Sequence, residues 1–387
     1  MKTPKVLILI SHSLGELDVV MPILCENLSK NKIEIEIIFT VKNIYNKYLS
    51  NNFYKFSVNK LNIKVNFLYI HNKFDFKYNN FFLRKIKKLL SISRSIPNVL
   101  LLISKFIKSD FLMHEHTHID LSLPHIYFIN KYFKKKFYTY HHADALRPHS
   151  RNNKKTNAAF SQYLLFDEMD RNAADFMGYS NIKLIGLPTF LPKWKETIIN
   201  YANEINTEYN YEYVLVFTRS ISPYYMTEFQ YKNLLIETYE SIRVIYGNIK
   251  IIIKPHPREN IIFVNNIINS YKLNNIIISQ ENSSVLLCKS LFAISFWTSC
   301  AINSLSLNIP FIEYYKVTKA FLEMEPYGSI YKKMGFISSD NIKSLKKEIM
   351  NIKNCTFLYP KEITESLSDN NIEFINSMFN NRKTIKI

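Results

Sequence analysis

Apolar residues fall in short unbroken runs separated by amphipathic stretches, and that alternation predicts strands and helices in turn. Residues 5–10 (KVLILI) are apolar throughout, as a parallel strand covered on both faces requires. Ser13-Leu14-Gly15-Glu16 breaks the run, residues 17–29 carry apolar side chains at helical spacing, and residues 33–40 form a second strand. This is a βαβ opening with a right-handed crossover. Further strands are predicted at 65–70, 111–114 and 136–140, and helices at 79–95, 97–108 and 121–133. Around 181–195 a short strand ends in Gly186 and two prolines, the composition of an interdomain linker. The pattern then restarts, with strands at 213–218, 250–254, 276–279, 291–295 and 310–314 and helices at 227–246, 284–290 and 299–307. The fold class is therefore α/β, with two parallel-sheet domains facing a cleft. We place the first domain at 1–185, a linker at 186–210 and the second domain at 211–360. A last helix at 361–380 within the 361–387 tail is able to cross back to the first domain.

Charge narrows the partners. The 387 residues carry a formal charge of +18, which favours nucleic acid, an anionic membrane surface or phosphorylated substrates. No RNA-recognition or zinc-finger pattern occurs, so nucleic acid drops out. Cys25, Cys288, Cys300 and Cys355 form no C-x-x-C pair and read as buried free thiols of a reducing compartment. The first apolar run is followed at once by His12, Glu16 and Asp18, without a small-residue cleavage site, so it reads as a strand and not a signal peptide. Residues 96–107 are the most apolar stretch and are too short to span a bilayer. The expected location is cytoplasmic, with peripheral attachment to the inner face of the membrane open through residues 73–108. That segment holds nine Lys or Arg and one Asp. It reads either as a helix lying on an anionic bilayer, worth about 1 kcal/mol per basic residue near the surface, or as an ordinary solvated basic face.

The strongest chemical signal is Lys254-Pro255-His256-Pro257-Arg258-Glu259, directly after an apolar strand. Ligands of open α/β sheets bind beyond the carboxyl ends of strands, and two prolines stiffen the turn there. Lys254, His256 and Arg258 suit a phosphate or diphosphate. Ser283 and Ser284 open one helix and Thr298 and Ser299 another; each pair either caps its helix or offers donors to a phosphate. Glu313 ends a strand, where it either accepts from ribose hydroxyls or is simply solvated. In the first domain His12, Glu16 and Asp18 follow the first strand and are the candidate bases, His by its ordinary pKa and the carboxylates if burial raises theirs. A favourable helix N-terminus explains the two acids equally well. His114, His116 and His118 alternate but lack a further ligand set, so no metal is expected. His116, His141 and His142 are instead candidates for binding an acceptor.

These segments together resemble the GT-B glycosyltransferase superfamily. The resemblance rests on KVLILISHSLGELD, YHHADALRP, IKLIGLPTF, KPHPRE, the Ser-Ser pair and FWTSCAINSLSLNIPFIEYY, and spans most of the chain. Three groups are similar: bacterial sialyltransferase-like and other surface-polysaccharide transferases, CDP-glycerol glycerophosphotransferases, and non-hydrolysing UDP-N-acetylglucosamine 2-epimerases. The resemblance implies two Rossmann-like domains and a nucleotide-sugar donor. It implies transfer to a glycan or lipid-linked acceptor in surface polysaccharide or lipopolysaccharide assembly, with neither cofactor nor metal. His256 takes the place of the His of the His-Pro motif on the donor phosphate, and Ser283 and Ser284 that of the hydroxyl pair. The chain departs from the families in lacking Gly-rich loops and a paired-acid-Gly base motif, and in having Thr298-Ser299 where the epimerases carry Gly-Gly.

Overall fold

The computed structural model describes residues 3–70, 81–115, 136–142, 161–205, 209–223, 225–316, 318–324, 328–359 and 371–379, with backbone alone at 81–94, 169 and 324. The chain divides into two compact units, Met1–Trp194 with Asp369–Ile387, and Lys195–Ser368.

The first unit holds a seven-stranded sheet of β1 (Lys5–Ile10), β2 (Glu34–Phe39), β3 (Lys64–Phe67), β4 (Phe111–Glu115), β5 (Lys136–Tyr140), β6 (Gln162–Leu165) and β7 (Asn181–Leu184). The order is β3-β2-β1-β4-β5-β6-β7, and the pairs are parallel. Its helices are α1 (Leu17–Leu28), α2 (Lys42–Ser50), α3 (Asn52–Lys60), α4 (Phe81–Lys108) and α5 (Arg171–Phe176). One face of the sheet is packed by Leu102 and Phe106 of α4 against Leu7, Leu9 and Leu112. Two separate helices were expected over 79–108; the structure has one, running through Pro97. A proline inside a helix removes one hydrogen bond and bends the axis without necessarily ending it.

The second unit holds a six-stranded parallel sheet of β8 (Tyr213–Phe217), β9 (Lys250–Lys254), β10 (Ile276–Ile278), β11 (Phe292–Ser295), β12 (Phe311–Tyr314) and β13 (Ile337–Ser339). Its order is β10-β9-β8-β11-β12-β13. Helix α6 (Pro192–Glu204) starts in the first unit and continues into the second, whose further helices are α7 (Glu228–Tyr246), α8 (Ile261–Ser270), α9 (Ser283–Lys289), α10 (Cys300–Ser306), α11 (Lys319–Met324), α12 (Ile330–Lys333) and α13 (Ile342–Lys353). Helix α6 occupies much of the expected linker, because Trp194 is anchored against Phe53 and the backbone N–H of Lys193 donates to Glu26. In the tail, α14 (Ile372–Ser377) packs on α1 of the first unit.

In both sheets the winding reverses once, between β1 and β4 and between β8 and β11. Loops at such reversals diverge and leave a crevice at the carboxyl ends of the two strands. His12, Glu16 and Asp18 follow β1 and Thr298 and Ser299 follow β11, while Lys254, His256 and Arg258 lie one strand along from the second reversal, at the end of β9.

Candidate functional site

At the carboxyl edge of the first sheet, the loop after β1 is shaped by one carboxylate. Glu16 Oε1 accepts backbone N–H groups from Ser11 (3.0 Å), His12 (2.5 Å) and Ser13 (3.1 Å). The Tyr140 hydroxyl stands 3.5 Å from Oε2. Glu16 is fully buried, and burial raises its pKa to about 7; Glu115 adds to the rise, while His142 and the backbone donors oppose it. Asp18 accepts from the Tyr54 hydroxyl, and burial lifts its pKa to about 6. From the neighbouring strands come Glu115, at the end of β4, and His142, just after β5, with Nδ1 to Oε1 at 3.3 Å. The His12 ring lies 4.8 Å from the His142 ring. A Cβ on Gly15 would meet Ser13 Oγ at 3.3 Å and both Asp18 Oδ2 and His142 Cδ2 at 3.8 Å, so these side chains converge on one spot.

The three candidate bases therefore differ. Glu16 is enclosed and spends its oxygens on the loop backbone, and Asp18 is tied to Tyr54. His12 is exposed at the rim. Of the acceptor candidates, His142 joins this cluster. His141 does not: its Nδ1 is 2.8 Å from the Tyr163 hydroxyl, its Nε2 is 3.7 Å from Asp170 Oδ2, and its ring packs on Phe166. His116 and His118 lie outside the described residues, and His114 is buried in β4 beside Phe137. Among the described residues no three His, Cys, Asp or Glu side chains converge as metal ligands.

At the carboxyl edge of the second sheet, Glu259 folds the proline turn. Its carboxylate accepts the backbone N–H of His256 (2.8 Å), the Thr218 hydroxyl (2.8 Å) and the Tyr231 hydroxyl. Burial raises its pKa. The backbone N–H of Arg258 donates to His256 Nδ1 at 3.2 Å, so the neutral ring carries its proton on Nε2. Lys254 is largely buried, which lowers its pKa; the nearby Cys300 and Glu281 oppose that.

Arg219, just beyond β8, is a candidate that sequence patterning missed. Its guanidinium carbon lies 3.8 Å from the Tyr225 ring centre and 4.1 Å from that of Trp297, and Nη1 donates to the Trp297 carbonyl at 3.0 Å. Its buried Nε has no hydrogen-bond partner among the described residues. Trp297 sits at φ +68°, a left-handed conformation that costs a bulky residue about 1–3 kcal/mol. The signal that could have found Arg219 is positional: it follows the strand at which the winding reverses.

The hydroxyl pairs need correction as caps. Asn282, not a serine, caps α9, accepting the Ser284 N–H at 2.9 Å. Ser284 is buried and Ser283 half-buried. At α10 the Thr298 hydroxyl takes the Cys300 N–H at 3.4 Å, and Ser299 makes no capping bond. Glu313 is fully buried, not solvated, and accepts from the Ser329 (2.6 Å) and Ser338 (2.9 Å) hydroxyls, so its carboxylate is turned to those two hydroxyls and not to a surface where ribose could reach it. Only Cys25 of the four free cysteines is buried, and Cys355 is exposed because it ends α13 at the surface.

No family model matches the chain, and no curated protein matches its sequence. Solved structures do match over nearly its whole length. UDP-GlcNAc 2-epimerase from Methanocaldococcus jannaschii has a TM-score of 0.60 at 16% identity, covering 97% of this chain and 99% of its own. A glycosyltransferase from Rickettsia africae has 0.51 at 13% identity, covering 98% and 95%. The fold is of the GT-B type. Anabaena Alr3699/HepE, solved with UDP and glucose, has a TM-score of 0.52 at 10% identity, covering 97% and 95%. At such identities the likeness fixes the GT-B architecture and not the reaction. Among the described residues, no helix is long and apolar enough to cross a membrane.

Proposed function

We propose that this GT-B chain is a nucleotide-sugar glycosyltransferase that serves cell-surface polysaccharide or lipopolysaccharide assembly. It moves the sugar to a hydroxyl of a glycan or lipid-linked acceptor. The observation that carries the proposal is the cationic edge of the second unit. Lys254, His256, Arg258 and Arg219 stand there at two adjacent strand ends, those of β9 and β8, while Glu259 and Glu313 are engaged by internal hydrogen bonds. In this reading that edge binds the donor diphosphate, with Ser283, Ser284, Thr298 and Ser299 as further donors. Charge grows on the leaving phosphate as the glycosidic bond breaks, and fixed cations that meet it there lower the barrier. The acceptor hydroxyl attacks the anomeric carbon and loses its proton. We assign that proton to His12, whose backbone is held by Glu16 and whose ring lies beside the His142–Glu115 pair.

The test is direct. A panel of UDP-, CDP-, CMP- and GDP-sugars should contain one that raises the melting temperature in proportion to the logarithm of its concentration. With that donor labelled, the label should pass to a glycan acceptor, and His256→Ala should abolish transfer. If no nucleotide stabilises the chain, the proposal fails.

Epimerisation is the second reading, favoured by the higher TM-score of the Methanocaldococcus enzyme and by a carboxylate–imidazole cluster able to move a proton. Inverting a carbon centre in that way breaks a C–H bond. Deuterium from solvent entering UDP-GlcNAc without any acceptor would decide for it. Label that reached the acceptor together with phosphorus would decide instead for polyol-phosphate transfer.

A further inference from the structure

The described half of helix α4, residues 95–108, carries apolar side chains on its core face and, uncovered among the described residues, on a second face. Leu102 and Phe106 are packed into the core of the first unit. On the outer side Ile96 is 53% exposed, Leu100 61% and Ile107 43%, and at 3.6 residues per turn the three fall within about 40° of one another. Leu101, 45% exposed, and the exposed Lys108 flank this stripe. Lone exposed apolar residues are ordinary, but a stripe over three turns of one helix is not.

Charge says what covers it. The first half of α4 contributes Arg84, Lys85, Lys87, Lys88 and Arg94, the second Lys105 and Lys108, and the helix contains no Asp or Glu. Lys105 is paired with Glu36 at 2.7 Å. A protein partner or a second copy of a chain at +18 would have to bring a strongly acidic surface to this helix. An anionic bilayer supplies both a negative surface and an apolar layer a few ångströms beneath it. We infer that α4 docks the protein on an anionic lipid surface, with Ile96, Leu100 and Ile107 entering the acyl boundary and the net positive charge of the helix sequence drawing it to anionic headgroups. The inference stands apart from the nucleotide-sugar assignment, since it uses no residue of either sheet edge.

Co-sedimentation of the full chain with vesicles tests it. Binding is expected to vesicles containing phosphatidylglycerol and not to pure phosphatidylcholine, and to weaken as salt is raised. The double variant Leu100→Glu/Ile107→Glu should lower vesicle affinity about tenfold or more while leaving the melting temperature unchanged, because both positions face solvent. Leu100→Trp should shift its fluorescence to the blue on anionic vesicles only. Equal binding to both lipids, no binding to either, or wild-type binding by the double variant would each overturn the inference. So would a dimer in light scattering that Leu100→Glu dissolves, since the stripe would then belong to a second copy.

Discussion

Burial that lifts the Glu16 carboxyl to a pKa of about 7 gives the first unit a pH dependence of definite sign. The folded-state value lies above the ordinary 4.5, so the folded chain binds the extra proton between those limits. The stabilisation is full below about 4.5 and lost as pH rises through about 7. Glu16→Gln keeps an oxygen for the three backbone donors and removes the titration. Denaturant melts of wild type and variant should therefore diverge by about 3 kcal/mol across that window, the variant gaining as pH rises. Parallel curves would mean that Glu16 is ionised throughout. A second residue-scale test concerns Arg219. Lysine keeps the charge but cannot stack between Tyr225 and Trp297 while donating to the Trp297 carbonyl. Arg219→Lys should weaken binding of the stabilising nucleotide about tenfold by calorimetry, near the worth of one charge-assisted bond. An unchanged affinity would place Arg219 in the fold alone. The sequence showed His12, Glu16 and Asp18 as neighbours in one loop, yet gave no means of ranking them. What separates them is enclosure by Tyr140, Glu115 and His142, more than ninety residues away in the chain. Arg219 and Asn282 were hidden because neither lies in a motif; each matters through the strand end or helix start it occupies.

Strong elements were legible where the apolar run was long and covered on both faces. β1, β8 and β9 show this, the last with Ile251, Ile252 and Ile253 fully enclosed. β7 (NIKL), a half-exposed edge strand, was still legible as the short run before Gly186, whereas β13 (ISS) has one apolar residue and takes its strand character from pairing with β12. Pro97 misled in the opposite direction, since the turns around it are held by tertiary packing of Leu102 and Phe106. Helix α7 shows a signal that sequence carries fully. Thr227 accepts the Gln230 N–H at 3.2 Å and the Gln230 side chain returns to the Thr227 N–H at 2.9 Å, a capping box. Thr227→Ala should cost about 1 kcal/mol in a urea melt, with no effect on the pH window assigned to Glu16. A loss under a quarter of that would mean that α7 is held by its buried face alone.

At the scale of the whole chain, the first unit is closed by residues that come last. Ile375, Met378 and Phe379 are buried against it, with Phe379 edge-on to Phe111 and Tyr138. Asn27 Nδ2 donates to the Ile375 carbonyl at 2.6 Å, and the Tyr138 hydroxyl donates to the Met378 carbonyl at 2.8 Å. Ending the chain at Ser368 would strip three apolar side chains, about 1.5–3 kcal/mol each. It would also leave the buried Asn27 and Tyr138 donors unmatched, at about 1–3 kcal/mol each. The sum reaches the whole stability of an ordinary domain, about 5–15 kcal/mol. The second unit has its own sheet and its own buried core and takes no residue beyond Ser368. Hydrogen exchange on the truncated chain should thus show lost protection in β1, β4 and β5 and retained protection in β8, β9 and β11. The nucleotide that stabilises the full chain should still raise the melting of what remains folded, because Lys254, His256, Arg258 and Arg219 all belong to the second unit. Uniform loss across both sheets would instead show that the units fold as one, and the division of donor and base chemistry between them would need to be redrawn.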